Sequence, residues 1–174
     1  MSLLEKNYFE VFGIAPHPSI DTDVLRTEFL KLSRVYHPDF VTSPDSEKVS
    51  EFLNISSRIN KAYNTLKNSD LRIRYYLLLQ GVMVEGEQVS LPATYMEEIM
   101  DIQEGIMEAK MEGDEETAKI LAGGLKAALD IEMEHLLSIS EDELNADILQ
   151  NLKILYYKRR YLLRILGNLN NIAD

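Results

Sequence analysis

His37-Pro38-Asp39 interrupts two segments of helical periodicity, and its proline limits what the chain can do there. A proline ring fixes its own φ near −65° and disfavours the α region for the residue before it. A helix that approaches from the N-terminal side must therefore stop at His37. The triplet predicts a rigid corner that presents one imidazole and one carboxylate.

Apolar residues recur with helical spacing on both sides of this corner. The stripe before it consists of Leu25, Phe29, Leu32 and Tyr36, with an N-cap in Asp21-Thr22-Asp23. The stripe after it lies on a helix from about 46 to 67 that starts at Ser43-Pro44-Asp45-Ser46, and consists of Phe52, Ile55, Ile59, Ala62, Tyr63 and Leu66. Each stripe needs a partner, so we expect an antiparallel helical hairpin with the corner at its tip. A short helix within 8–14 would close the core.

The segment from Gly81 to Leu91 breaks the helical periodicity with two glycines and Ser90. Beyond it, a first helix with Pro92 in its first turn carries the stripe Tyr95, Ile99, Ile102, Ile106 and Ala109. A second helix is expected at about 114–137. The capping-box pattern from Ser140 to Glu143 predicts the start of a third, which runs to about 167.

Three antiparallel helices with short loops form a bundle. The chain shows no alternating strand pattern, so we predict an all-α fold. The predicted organisation is a first domain over 1–81, a linker over 82–91 and a three-helix bundle over 92–174.

Composition excludes several functions. The chain has no cysteine, which rules out disulfides, thiolate zinc sites and ligation of a cluster by its own thiolates. Residues 91–150 hold 16 acidic side chains against 3 basic ones, and the whole chain has a net charge of −11. An acidic surface repels nucleic acid. No apolar run approaches the length of a membrane span and no signal peptide precedes the first helix, so we expect a cytoplasmic protein with no membrane or nucleic-acid partner.

Three segments resemble the J-domain family: Asn7-Tyr8-Phe9-Glu10-Val11-Phe12-Gly13-Ile14, Tyr36-His37-Pro38-Asp39-Phe40 and Ile59-Asn60-Lys61-Ala62-Tyr63-Asn64-Thr65-Leu66. The continuation from Leu71 to Gly81 resembles one branch of that family, the HscB co-chaperones of iron–sulfur cluster assembly. The resemblance extends over essentially the whole chain and implies that 1–81 is a J-domain. Members usually carry lysine directly after the triplet, where this chain has Phe40.

The resemblance implies that His37, Pro38 and Asp39 engage the ATPase domain of a DnaK-class chaperone, HscA-like in this branch, and promote its ATP hydrolysis. A carboxylate such as Asp39 is suited to a chaperone arginine, because it accepts a bidentate guanidinium. Arg34 and Lys31 add a basic patch beside the corner that can steer it onto an acidic partner. For Lys31, an ordinary solvated helix face is an equally good interpretation.

Several methionines on the first bundle helix lie to one side of its apolar stripe, where the core does not require them. Methionine adapts to irregular protein-binding surfaces. The resemblance implies that this helix and the last one bind the iron–sulfur cluster scaffold, an IscU-like protein, and by position the corresponding residues are Met96, Glu97, Met100, Asp101, Glu104 and Ile154. The alternative is that the methionines widen the bundle core.

The sequence therefore predicts a co-chaperone that stimulates a DnaK-class ATPase and delivers the scaffold protein to it. Two alternatives stay open, a J-domain protein for another client and a non-catalytic helical adaptor. We predict no enzymatic activity, because no nucleophile, phosphate loop or metal-ligand set accompanies His37 and Asp39. We likewise expect no cofactor, no catalytic residue and no metal site.

Overall fold

A computed structural model describes residues 2–37 and 46–171, with the side chains of 46, 47 and 169–171 left out of the description. In those ranges the chain forms helices and no strand, which confirms the all-α prediction. The helices are α1 (Tyr8–Val11), α2 (Thr22–Val35), α3 (Ser46–Lys67), α4 (Ser69–Leu79), α5 (Ala93–Met111), α6 (Glu115–Leu137) and α7 (Ala146–Asn171). Contacts divide the chain into an N-terminal unit, Met1–Leu79, and a C-terminal unit, Gln80–Asp174.

The N-terminal unit is built on a hairpin of α2 and α3. Asp21 caps α2, since its carboxylate accepts hydrogen bonds from the backbone N–H groups of Asp23 and Val24. The rings of Phe29 and Tyr63 stack with centroids 3.9 Å apart, and a second aromatic pair forms where α2 ends and α3 begins. The two helices therefore run antiparallel. The large side chains that are fully buried include Phe9, Leu25, Ile59, Leu66, Ile73 and Leu77.

Arg72 ties α4 to the rest of the N-terminal unit. Its side chain is only 7% exposed. It donates one hydrogen bond of 2.8 Å to the carbonyl of Pro18 and another of 2.7 Å to the carbonyl of Leu66. The Leu66 carbonyl lies in the last turn of α3, where helical carbonyls lack intrahelical partners. One buried cation thus joins the loop before α2, the end of α3 and the start of α4.

The C-terminal unit is a three-helix bundle in which α6 packs against both α5 and α7. The predicted stripe of α5 is buried at Tyr95, Ile99, Ile106 and Ala109. The hydroxyl of Tyr95 donates a 2.8 Å hydrogen bond to the carbonyl of Lys158 on α7. Burial raises the pKa of Tyr95 to about 12, so it stays a donor at physiological pH.

The last helix begins later than the sequence predicts. The capping box from Ser140 to Glu143 forms, but it caps only the 3₁₀ turn Glu141–Glu143. Leu144 is then extended, with ψ 116°, which ends the turn. Asn145 supplies the cap of α7, because its side-chain oxygen accepts from the N–H groups of Asp147 and Ile148. The prediction of one continuous helix from Ser140 is therefore wrong.

The segment 80–91, at the start of the C-terminal unit, packs onto α7. Met83 is buried. Lys153 of α7 donates to the carbonyl of Val82 at 2.9 Å and to the carboxylate of Glu87 at 2.7 Å, and the Tyr157 hydroxyl contacts the same carboxylate. These bonds fix residues that the sequence assigned to a linker. The predicted boundaries, with a linker over 82–91, stay a prediction. The residue contacts of the structure separate the two units between Leu79 and Gln80.

Candidate functional site

The predicted corner lies directly after α2. The helix ends at Val35, and the backbone N–H of Tyr36 makes the last helical bond, to the carbonyl of Leu32 at 2.9 Å. The Tyr36 ring packs against Phe52 with centroids 5.4 Å apart, which anchors the end of α2 on α3. His37 follows and is exposed. The helix stop is thus where the sequence predicts it, whereas Pro38 and Asp39 lie outside the described residues.

The basic residues of the predicted patch differ in their surroundings. Arg34 is exposed in the last turn of α2, the end of a helix that favours positive charge. Lys31 is 64% exposed and forms an ion pair with Glu28 at 2.6 Å. A surface pair of this kind contributes little stability, but it offsets part of the positive charge that a partner would meet. Arg34 is therefore the stronger candidate of the two.

The structure adds a residue that the sequence analysis missed at this end of α2. Val35 is exposed although it is a large apolar side chain, and it is the last residue of α2, next to Arg34. Because Val35 lies outside the apolar stripe of α2, its exposure could have been predicted from the sequence. Single exposed apolar residues are common on protein surfaces, so Val35 is of interest only for its place beside Arg34 and His37.

Met100 and Met107 of α5 lie off the core, as their place outside the apolar stripe predicts. Met100 is 65% exposed and Met107 is 55% exposed, while Met96 is half-buried. The surrounding acidic residues Glu97, Asp101 and Glu104 are all exposed. This exposure argues against the alternative in which Met100 and Met107 widen the core. Met111 continues the same face one turn further, a residue the sequence analysis did not select.

The predicted residue on α7 lies at the same end of the bundle as Met96. Ile154 is half-buried, one helical turn before Lys158. The carbonyl of Lys158 receives the hydrogen bond from Tyr95, the neighbour of Met96. The packing of Ile165 and Leu166 against the core cluster that contains Ile106, together with the Tyr95–Lys158 bond, makes α5 and α7 parallel, so Ile154 lies level with the start of α5. That Ile154 shares a surface with the α5 residues stays a prediction. We call the predicted set, Met96, Glu97, Met100, Asp101, Glu104 and Ile154, the methionine face.

Two other features are absent from the described residues. No three histidine, aspartate or glutamate side chains in 2–37 and 46–171 come together as a metal site would require. Across the same ranges, no helix combines the length and the apolarity that a membrane crossing needs.

Comparisons with known proteins agree with this architecture. Residues 7–75 match the DnaJ domain family. The co-chaperone protein HscB homologue of Psychromonas ingrahamii is 36% identical over 154 residues, covering 86% of this chain and 90% of the relative. The homologue of Vibrio vulnificus strain YJ016 is 34% identical over 142 residues, covering 80% of each.

Solved structures share the fold. The chaperone HscB from Vibrio cholerae superposes with a TM-score of 0.68 at 21% identity, over 97% of this chain and 98% of that one. Human co-chaperone protein HscB gives a TM-score of 0.71 at 21% identity, over 97% of this chain and 83% of that one.

The helical hairpin with His37 at its end, together with the family match, defines a J-domain protein. Members of this class are not themselves enzymes. The sequence identity to the curated relatives defines a narrower group within this class: the chain belongs to the HscB family of co-chaperones. Both predictions, the J-domain and the HscB branch, are confirmed.

Proposed function

We propose that this co-chaperone stimulates the ATPase of an HscA-like, DnaK-class chaperone and delivers to it an IscU-like scaffold protein of iron–sulfur cluster assembly. The observation that carries the proposal is the pairing, in one chain, of a J-domain with a second unit that exposes methionines among carboxylates. A protein that couples a chaperone to its client needs one surface for each.

The chaperone surface is assigned to the end of α2 and the corner that follows. Arg34 and His37 are exposed there, and Pro38 and Asp39 come next in the chain. Exposed positive charge steers association with an acidic surface, and Asp39 suits a chaperone arginine. We add Val35 to this surface as an apolar contact, with Lys31 in a lesser role because of its pairing with Glu28.

The scaffold surface is assigned to the methionine face. Exposed thioether side chains contribute apolar contact without demanding one fixed shape, and the adjacent carboxylates favour a partner with basic residues. The half-buried Met96 and Ile154 would add apolar contact at one end of this surface, where a partner would remove little remaining side-chain freedom.

The test is an ATPase assay of the chaperone with this protein, in the presence and absence of the scaffold. We expect stimulation by this protein alone and a greater than additive effect with the scaffold. Asp39→Ala should abolish stimulation, because loss of one partner of an interface charge pair costs about 2–5 kcal/mol. Asp23→Ala, at the other end of α2, is the matched control and should stimulate normally. Full activity of the Asp39 variant would show that the triplet has been assigned wrongly.

The scaffold surface is tested separately by calorimetry. Met96→Ser combined with Met100→Ser should weaken scaffold binding and leave stimulation without scaffold unchanged. Val84→Ser removes an equally exposed apolar side chain elsewhere in the C-terminal unit and should leave binding unchanged. Unaltered affinity of the methionine variant would retire this surface.

The two alternatives give different results in the same experiments. A J-domain protein for another client stimulates the ATPase but does not bind the scaffold. A helical adaptor does neither.

A further inference from the structure

The sulfur atoms of this chain are concentrated on one helix. The chain has 7 methionines, no cysteine and no tryptophan. Met96, Met100, Met107 and Met111 all lie on α5, whereas residues 2–79 contain no methionine. A peroxide oxidises the sulfur of cysteine and methionine ahead of other side chains. In this protein the reaction is therefore directed to methionine, and α5 holds most of the targets.

The structure separates the methionines that water reaches from those that the core encloses. Met100 is 65% exposed, Met107 is 55% exposed and Met111 is 88% exposed. By contrast, Met83 and Met133 are buried, with exposed fractions of 3% and 6%. A small oxidant in solution can therefore reach the sulfur of the three α5 residues, while the C-terminal unit protects the two buried ones.

The three exposed methionines lie along one side of α5. At about 100° of rotation per residue, Met100, Met107 and Met111 fall within about 40° of one another around the helix axis. Met100 belongs to the methionine face, and the other two continue the same side toward the end of the helix. A partner that covers Met100 would therefore meet Met107 and Met111 next.

Oxidation changes the chemistry of this surface. The lone pair of a thioether sulfur attacks one oxygen of hydrogen peroxide, so that an S–O bond forms as the O–O bond breaks. The transferred oxygen gives its proton to the departing hydroxide, which leaves as water. The product is methionine sulfoxide, a polar side chain that disrupts interfaces rich in methionine. A partner that covers the sulfoxide oxygen must supply a hydrogen-bond donor, or the oxygen loses its hydration without compensation.

We propose that Met100, Met107 and Met111 form a site of reversible oxidation, and that the oxidised protein binds the scaffold more weakly. The effect on binding rests on the proposed function, whereas the site of oxidation does not. Reversal requires methionine sulfoxide reductases, which reduce the sulfoxide to the thioether with the electrons of a dithiol and release the oxygen as water. Because residues 2–79 contain no methionine, oxidation should leave the stimulation of the chaperone ATPase intact.

Peptide mass spectrometry of the full chain, after treatment with hydrogen peroxide, locates the oxidised residues. In the folded protein, Met100, Met107 and Met111 should react at least about tenfold faster than Met83 and Met133. In guanidinium chloride the difference should disappear, because unfolding exposes every methionine. The two reductases, one for each sulfoxide epimer, should together restore the thioethers. Equal rates in the folded protein, or sulfoxides that the reductases do not reduce, overturn the proposal.

Calorimetry measures the effect of oxidation on scaffold binding, after the peroxide has been removed. The oxidised protein should bind the scaffold at least about tenfold more weakly, and reduction should restore the affinity. Its Tm should fall by no more than a few degrees, because exposed side chains contribute little to stability. A large fall in Tm would show that oxidation disrupts the core rather than the surface, which would overturn the proposal.

Two leucine variants assign the effect to particular residues. The triple variant Met100→Leu, Met107→Leu and Met111→Leu keeps apolar side chains but has no sulfur at the site. Whatever its affinity for the scaffold before treatment, that affinity should not respond to peroxide. The matched control, Met133→Leu, removes a buried methionine and should respond like the wild type. A triple variant that responds to peroxide, or a control that does not, would show that the site is wrong.

The same measurements distinguish a failure of this proposal from a failure of the proposed function. If the untreated protein does not bind the scaffold, the proposed function fails, and the effect of oxidation on binding fails with it. Mass spectrometry then still decides where the protein is oxidised. If the untreated and the oxidised protein bind the scaffold equally well, the proposed function stands and the effect of oxidation on binding is refuted.

Discussion

Replacing Arg72 with methionine removes the cation that holds three parts of the N-terminal unit together. The guanidinium donates at 2.8 Å to the carbonyl of Pro18 and at 2.7 Å to the carbonyl of Leu66. Methionine has a comparable length and helix propensity but no donor. Both carbonyls would lose a bond in a region that water does not readily reach.

The expected magnitude follows from the two lost bonds. Hydrogen bonds from a charged donor contribute about 1.5–3 kcal/mol each. Burial lowers the pKa of Arg72, because desolvation of the cation costs free energy. Methionine does not carry this cost, so the variant regains part of the free energy that it loses with the two bonds. The net loss should be about 2–4 kcal/mol. For a unit of this size, each kcal/mol shifts the Tm by about 4–8 °C, so we expect a decrease of at least about 8 °C.

Differential scanning calorimetry of the full chain, with the unfolding of α1–α4 followed by hydrogen exchange, measures the effect in the correct unit. Arg26→Met on the exposed side of α2 is the control and should change the free energy of unfolding by less than about 0.5 kcal/mol. A loss below about 1 kcal/mol for the Arg72 variant would mean that the two carbonyls do not depend on it. The described role of Arg72 would then be wrong.

Three further effects concern the C-terminal unit. Lys153→Met removes the donor to Val82 and Glu87, so amide exchange in 80–91 should accelerate and the unit should lose about 2–4 kcal/mol, measured by urea unfolding. For Asp130, burial alone would raise the pKa above its ordinary 3.8, but the hydrogen bonds from basic neighbours outweigh burial and lower it. The ionised Asp130 therefore stabilises the folded unit fully above about pH 4, and this stabilisation is lost as the pH falls through the pKa that Asp130 has in the folded state. In acid titrations, an Asp130→Asn variant should lose correspondingly less stability. Asn145→Ala removes the cap of α7 and should cost about 1 kcal/mol by thermal unfolding, whereas a cost near zero would contradict the capping role.

The helices of both units could be predicted because each buried face is set by local spacing. The stripe from Tyr95 to Ala109 places its members inward whatever the neighbouring helix is, and the bounds of α3 agree with the prediction at both ends. The start of α7 could not be found in this way. A capping box can begin either a single helical turn or a long helix. Here the extended backbone of Leu144 ends the helix after one turn.

The hydrogen bonds between residues far apart in the chain could not be predicted from the sequence, for a different reason. Arg72 and Lys153 meet backbone carbonyls 54 and 71 residues away, and a carbonyl is present at every position, so no residue type marks the acceptor. Among the site residues, exposure of Met100 and Met107 followed from their place outside the stripe. The pairing of Lys31 with Glu28 was also readable from the three-residue spacing, because side chains at that separation are neighbours on a helix.

The attachment of 80–91 to α7 has a practical meaning for anyone who wishes to study the two halves apart. A C-terminal fragment that starts at Leu91 would strip Lys153 of both its acceptors and remove the buried Met83, so it would lose an ion pair and apolar contact that the intact unit has. Such a fragment should be less stable than the intact C-terminal unit, even though it contains all of α5, α6 and α7. The place to divide the chain is the peptide bond before Gln80.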